Sequence, residues 1–137
     1  MKLRRLSREG KWQVLAACTE RGSCPLEEFL CNLAPNFESS VRGILALLDY
    51  VAVNGPPRNV ELSHQLRGDI YEFIKGRIRV LYFLERDRVI ICTHGLVKKS
   101  QKIRGVEIER AEAVRRAYRT AVAMGKVEMT GNDDEVS

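Results

Sequence analysis

The stretch from Ile70 to Lys102, IYEFIKGRIRVLYFLERDRVIICTHGLVKKSQK, constrains the fold more than any other part of the chain. Ile70–Ile74, Arg77–Leu84 and Arg88–Val97 are rich in β-branched and aromatic residues, and the breaks between them, Lys75-Gly76 and Arg86-Asp87, have the length and chemistry of two-residue hairpin turns. Three antiparallel strands in sequence follow. With two-residue loops at both turns, Ile74 faces Arg77, Glu72 faces Arg79, Glu85 faces Arg88 and Arg79 faces His94. One row across the sheet then reads Glu72, Arg79, His94.

Side chains alternate along strands, so Arg77, Arg79, Leu81 and Phe83 share a face with Glu72, Arg88, Ile90, Cys92 and His94. The other face holds Tyr71, Phe73, Ile78, Val80, Tyr82, Leu84, Val89 and Ile91 and is nearly all apolar. That is what a sheet needs where helices cover one side and solvent or a ligand meets the other. From Arg77 to Arg104 the basic residues are Arg77, Arg79, Arg86, Arg88, Lys98, Lys99, Lys102 and Arg104, against Glu85 and Asp87. The formal net charge of the whole chain is only +5, so the clustering carries more information than the total. Mixed Arg, Lys and His chemistry on one element suits a polyanion, and phosphate in particular.

The 137 residues, 45% of them hydrophobic, suffice for one domain with its own core. Cys18, Cys24, Cys31 and Cys92 lack the paired short spacing of a zinc site, and the chain has only two histidines. Reduced thiols and no metal or cofactor are expected, with Cys92, on the face of His94, as inert packing. Met1–Lys11 is basic but is not followed by the apolar segment of a secretory signal. No uncharged run approaches the roughly 18 residues that span a bilayer, so a cytoplasmic protein without a membrane partner is expected.

Residues 1–10 carry four basic residues with little apolar content and read as a flexible basic arm. Lys11–Ala17 alternates as a first strand. Pro25 suits the first position of a helix with Glu27 and Glu28 in its first turn and Leu26, Phe29, Leu30 and Leu33 as its apolar stripe. Asn36 can cap a second helix on which Val41, Ile44, Leu45, Leu48 and Val51 recur, and Asn54-Gly55-Pro56-Pro57 stops it. Arg58–Gly68 reads as a polar connector, with His64 at its surface. Glu107–Met124 is a third helix with Ile108, Ala111, Val114, Tyr118 and Ala121 on one face. The fold class is therefore α+β, a single domain over residues 11–125 in the order β-α-α-β-β-β-α. Its antiparallel sheet has helices on one face and an open basic face, and residues 126–137 form a disordered acidic tail.

ERGSCPLEEFLCNL, ILALLDYVAVNGPP, LRGDIYEF, RIRVLYFLERDRVIICTHGLVKKSQK and EIERAEAVRRAY resemble, in that order, the HigB-like branch of the RelE/ParE toxin superfamily, from about Lys11 to Ala121. The most specific piece is HGLVKKSQK leading into EIERA. The resemblance implies a RelE-like fold and the toxin of a type II toxin–antitoxin pair, a metal-independent endoribonuclease that cleaves messenger RNA on the ribosome. A cognate antitoxin, a helix-turn-helix protein, would neutralise it. Carried over residue by residue, the resemblance implies Arg79, His94, Lys98 and Lys102 as catalytic. Arg77, Lys99, Gln101 and Arg104 would bind RNA, and Glu72 would orient Arg79. Two departures from the family pattern stand out. Ile74 stands where a strand arginine is usual, a place the Arg77 guanidinium reaches in the expected register, and Ile103-Arg104 replaces threonine and proline.

Cleavage without a metal requires the ribose 2′-hydroxyl to attack the adjacent phosphate, a proton for the departing 5′-oxygen, and cations for the charge that builds on phosphoryl oxygens. His94 or Glu72 has the chemistry to exchange protons. A ParE-like toxin that inhibits gyrase without nuclease activity, and a weakened relative that only binds RNA or antitoxin, stay open as alternatives.

Overall fold

In a computed structural model, which describes residues 1–131, the chain runs β1 (Lys2–Arg5), β2 (Gln13–Cys18), α1 (Pro25–Cys31), a 3₁₀ turn (Pro35–Phe37) and α2 (Glu38–Asn54). It continues through β3 (Ser63–Arg67), β4 (Ile70–Lys75), β5 (Ile78–Glu85), β6 (Val89–Val97), α3 (Gly105–Ala123) and β7 (Glu128–Met129). The helices start and stop where local chemistry asks. Pro25 opens α1 with Glu27 and Glu28 in its first turn. Ile44, Leu47, Leu48, Val51 and Ala52 form the buried stripe of α2, which ends at Gly55 with φ +81.

The strands form one mixed seven-stranded sheet in the order β3-β4-β5-β6-β2-β1-β7, parallel between β2 and β6 and between β1 and β7. α1 and α2 pack on one face, where Leu26, Ile44, Leu48 and Val51 bury Val14, Phe73, Val80, Tyr82, Ile90 and Cys92. α3 lies across the other, where Ile108 and Ala111 bury Leu15, Ile70, Leu81, Phe83 and Ile91. The fold is thus a single α+β domain, but helices cover both faces. The face expected to be open is apolar over Leu81 and Phe83, and that oil has to be covered by something. α3 supplies the cover.

Three strands lie outside the expected order. Residues 2–5 are no free arm: they pair antiparallel with β2, Lys2 opposite Cys18, and bury Leu3. Glu128 and Met129 pair with Lys2 and Leu3, so the expected tail begins as a strand; residues 132–137 lie outside the described residues. β3 falls inside the supposed polar connector. As an edge strand it buries only Ser63, so it lacks the apolar alternation that marks a strand in sequence.

Registers also differ. The loop between β4 and β5 is Gly76-Arg77, with φ +59 at Gly76, the first loop position, where hairpins of this length favour glycine. Moving the loop one residue on shifts the pairing by two, so faces are preserved but partners change: Glu72 faces Leu81, and Ile74 faces Arg79. The loop between β5 and β6 has three residues, Arg86, Asp87 and Arg88, the last two at φ near +60, and Glu85 pairs with Val89. That extra residue turns Ile90 and Cys92 toward α1 and α2, and Val89 and Ile91 toward α3, the reverse of the expected assignment. A bulge at Thr93 then adds a second residue, so His94 returns to the face of Leu81, its partner. The row across the sheet is His64, Glu72, Leu81, His94.

Val80 is fully buried between Phe73 and Gly95, its strand partners, under α1 and α2. Val80→Asp puts an unpaired carboxylate there, at a cost of several kcal/mol against a typical stability of about 5–15 kcal/mol. Circular dichroism melts are expected to show no cooperative transition for Val80→Asp and a near-normal one for Leu84→Asp, whose site is 37% exposed. Tolerance of the first and collapse of the second would reverse the facing of β5.

Candidate nucleic-acid interface

Glu72 lies mid-strand in β4 with 2% of its surface exposed. A carboxylate so buried needs polar and cationic partners, and three elements deliver them. β3 places His64 directly opposite, its Nδ1 2.9 Å from Glu72 Oε2, with 43% of the imidazole side chain exposed. β5 places the Arg79 Nε 3.5 Å from Glu72 Oε1. At that separation the two atoms attract as charges without a hydrogen bond, and neither has a hydrogen-bond partner among the described residues. Lys98, just past the end of β6, is the third. Burial pushes the Glu72 carboxyl above its usual range, and the charges of His64, Arg79 and Lys98 pull it back.

The Arg79 guanidinium is largely spoken for. Its Nη1 donates to the carbonyls of Gly76 at 2.7 Å and Ile78 at 3.1 Å, and its side chain is 11% exposed. Arg79 therefore holds the hairpin turn and balances Glu72. Arg77 sits in the loop, where its Nε donates to the Lys98 carbonyl at 3.4 Å, while the Lys98 N–H donates to the Arg77 carbonyl at 2.7 Å. That pair pins the start of the lysine segment to the β4–β5 turn. Arg79, not Arg77, is the residue facing Ile74.

Residues 98–104 separate two clefts. One, of about 290 Å³, is lined by His64, Gln65, Leu66, Glu72, Lys98, Gln101, Lys102, Ile103 and Ile108. The other, of about 360 Å³, is lined by Leu96, Val97, Lys98, Lys99, Ser100, Lys102, Ile103, Arg104 and Glu107. Lys98, Lys102 and Ile103 border both. Lys99, Gln101, Lys102 and Arg104 are exposed, and none of Lys98, Lys99, Lys102 and Arg104 enters an ion pair among the described residues. Unpaired cations lining clefts are available to a polyanion.

His94 stands apart from this group. It is 1% exposed, its Nδ1 lies 3.0 Å from Thr93 Oγ1, and its Nε2 lies 3.0 Å from Glu107 Oε1 in the first turn of α3. Burial, then the nearby Arg110 charge, lowers its pKa, against the opposing pull of Glu107. The imidazole ties α3 to β6 with both nitrogens occupied. It does not share a row with Arg79, which faces Leu96, nor a face with Cys92, whose thiol burial pushes far up.

The histidine at the cleft is His64, which sequence reasoning left at a connector's surface. One signal for it existed: Gly68-Asp69 before Ile70 is a hairpin turn, with Gly68 at φ +55. Counting back from that turn reaches Gln65 opposite Glu72, because the irregularity between Gln65 and Arg67 that brings in His64 is not written in any residue type.

Residues 35–116, more than half of the chain, match the family described as Phage derived protein Gp49-like (DUF891). The chain belongs to that family. The Gp49-like family is part of the RelE/ParE-like toxin superfamily of toxin–antitoxin systems, and the match covers α2 through most of α3, including both clefts. No curated protein matches the chain. Among the described residues of this Gp49-like protein, no group of three or more His, Cys, Asp or Glu could hold a metal ion, and no helix is long and apolar enough to cross a membrane.

Two outcomes test the electrostatics. Removing Arg79 strips a cation from a buried carboxylate, so Arg79→Ala is expected to cost about 1–3 kcal/mol of stability, and clearly less in a Glu72→Gln background. Equal losses in both backgrounds, measured by denaturant titration, would show the two side chains uncoupled. His94 gives a pH signature. Its folded pKa is depressed, so as pH falls below the ordinary 6.5 the unfolded chain takes a proton that the folded chain refuses, and stability drops. Glu72, whose folded pKa is raised above 4.5, gives a slope of opposite sign, so the readout is the difference between wild type and His94→Gln at each pH. The wild type is expected to lose melting temperature faster on acidification; parallel curves would put His94 outside the buried site.

Proposed function

We propose that this Gp49-like protein is the toxin of a type II toxin–antitoxin pair and that it works in the cytoplasm as a metal-independent messenger RNA endoribonuclease on the translating ribosome. A cognate helix-turn-helix antitoxin neutralises it by covering the basic clefts. The observation that carries this reading is the run of unpaired cations from Lys98 to Arg104 beside the buried Glu72. Membership of a toxin superfamily supports the toxin part. The pattern His94-Gly95-Leu96-Val97-Lys98-Lys99-Ser100-Gln101-Lys102 supports the HigB-like branch within it.

RNA runs along the 98–104 segment between the two clefts. Lys98 and Lys102, which border both, hold the phosphoryl oxygens whose charge builds during cleavage. Lys99, Gln101 and Arg104 flank them and take the backbone on either side, and Arg77 extends the surface past the hairpin turn. Arg79 and His94 act from behind: the first balances Glu72, the second fixes the start of α3 at the cleft wall. A ParE-like reading needs a surface for a protein partner but no carboxylate beside the lysines, and the Glu72 arrangement favours cleavage over it.

Induced expression in bacteria is expected to arrest growth with rapid loss of full-length message, and co-expression of the neighbouring helix-turn-helix gene to relieve the arrest. Lys98→Ala/Lys102→Ala is expected to abolish both effects while moving stability by less than about 1 kcal/mol. RNA affinity should fall with salt at a log–log slope of about −0.7 per phosphate contact, flattening by roughly that amount for each lysine removed. Arrest with intact message and blocked gyrase would establish the ParE-like alternative in place of this one.

A further inference from the structure

Two histidines face the same side of the sheet on one row, yet their surroundings differ in the respect that matters for proton transfer. His94 has both ring nitrogens engaged and is closed off from solvent. His64 presents Nδ1 to the buried Glu72 carboxylate at 2.9 Å, while its Nε2 bonds to nothing among the described residues and its ring borders the cleft of about 290 Å³. A proton on Nδ1, facing the carboxylate, leaves the Nε2 lone pair free to accept another. An imidazole oriented by a buried carboxylate with its second nitrogen at a cleft is the arrangement of a general base.

We propose that His64 is the catalytic base of this protein, taking the proton of a ribose 2′-hydroxyl in single-stranded RNA, and that Glu72 is its positioning residue. The assignment rests on the reading of the chain as an RNA-cleaving toxin. Four charged groups surround the imidazole or its partner: Glu72 from β4, Arg79 from β5 behind it, and Lys98 and Lys102 from the cleft rim. The cleft sits at the small end of ligand sites, roughly 300–1,000 Å³, which suits one sugar with its phosphate.

The step balances with no redox partner. His64 Nε2 takes the 2′-proton, and the 2′-oxygen bonds to the adjacent phosphorus. The bond from phosphorus to the next nucleotide's 5′-oxygen breaks, and its electron pair leaves with that oxygen, which takes a proton from water. The imidazolium returns its proton to solvent. The products are a 2′,3′-cyclic phosphate and a 5′-hydroxyl, and Lys98 and Lys102 hold the phosphoryl oxygens throughout. Glu72 fixes the ring orientation and stabilises the imidazolium as it forms. Its second oxygen, Oε1, has no hydrogen-bond partner among the described residues and faces the Arg79 Nε at 3.5 Å.

Single-turnover cleavage of ribosome-bound message by the full chain, followed across pH, tests the assignment. Wild type should lose rate as pH falls, as a base that works unprotonated requires. His64→Gln should be slower by about 10²–10⁴-fold near neutrality and lack that acid limb. Binding of a 2′-deoxy analogue should change less than about twofold, since His64 supplies no phosphate charge. Added imidazole should restore part of the rate to His64→Gly, which a merely structural role would not allow. Glu72→Gln should keep the fold and shift the acid limb without erasing it. Wild-type rate and pH profile in His64→Gln overturn the dyad; if Lys98→Ala/Lys102→Ala still loses cleavage in the same assay, the RNA reading stands without it. A wild type that leaves message intact overturns both.

Discussion

A carboxylate removed from water has to be met by polar donors or positive charge, and the burial of Glu72 in the middle of β4 organises the strands on either side of it. Its neighbours in sequence leave it no other place. Tyr71 and Phe73 point to the opposite face and stack on Tyr82, with ring centroids 5.6 and 3.9 Å away, so alternation commits Glu72 to the side of the clefts. β3 then answers with His64, β5 with Arg79, and the end of β6 with Lys98. The same carboxylate that costs energy to bury concentrates cations beside a cleft. Fold and cleft electrostatics are coupled at that residue.

The meander, the two long helices and the apolar face were legible because they follow from periodicity, which many residues state at once. Tyr71, Phe73, Ile78, Val80 and Tyr82 each vote for one face, and each lies there. Register is settled by far fewer residues. Gly76 at φ +59 decides one turn and Asp87 with Arg88 near +60 another, and nothing about Asp-Arg in a sequence announces a three-residue loop. The polar edge strand β3 had no apolar vote, so the place of its histidine opposite Glu72 was not legible.

Residue types were legible where burial was not. Arginine, histidine and lysine on and after the central strands were legible as a basic cluster, and Lys98 and Lys102 border the clefts. But the Arg79 guanidinium is bonded to the Gly76 and Ile78 carbonyls and His94 is closed under α3 against Glu107, and only packing reveals that. The periodicity of α3 states a helix with an apolar stripe; which face of the sheet it covers depends on Leu81 and Phe83 needing cover, a consequence of the three-dimensional count of apolar surface rather than of the helix itself.

The bulge at Thr93 links these observations. After the three-residue loop, β6 runs with Ile90 and Cys92 toward α1 and α2, and uninterrupted alternation would send His94 and Leu96 into that same core. There a histidine would displace apolar packing, and the glycine that the core accepts at position 95 would be lost to the other side. In the structure a Cβ on Gly95 would come within 2.5 Å of the Phe29 ring, so the α1 side tolerates only glycine at this point. Thr93, with its hydroxyl donating to the Leu81 carbonyl at 3.4 Å, absorbs the extra residue and turns Gly95 to α1 and His94 to Glu107. The strand therefore leaves the sheet with Lys98 against the Arg77 carbonyl and on the side of Glu72. One irregular residue in the ladder places the lysine segment at the cleft instead of behind it.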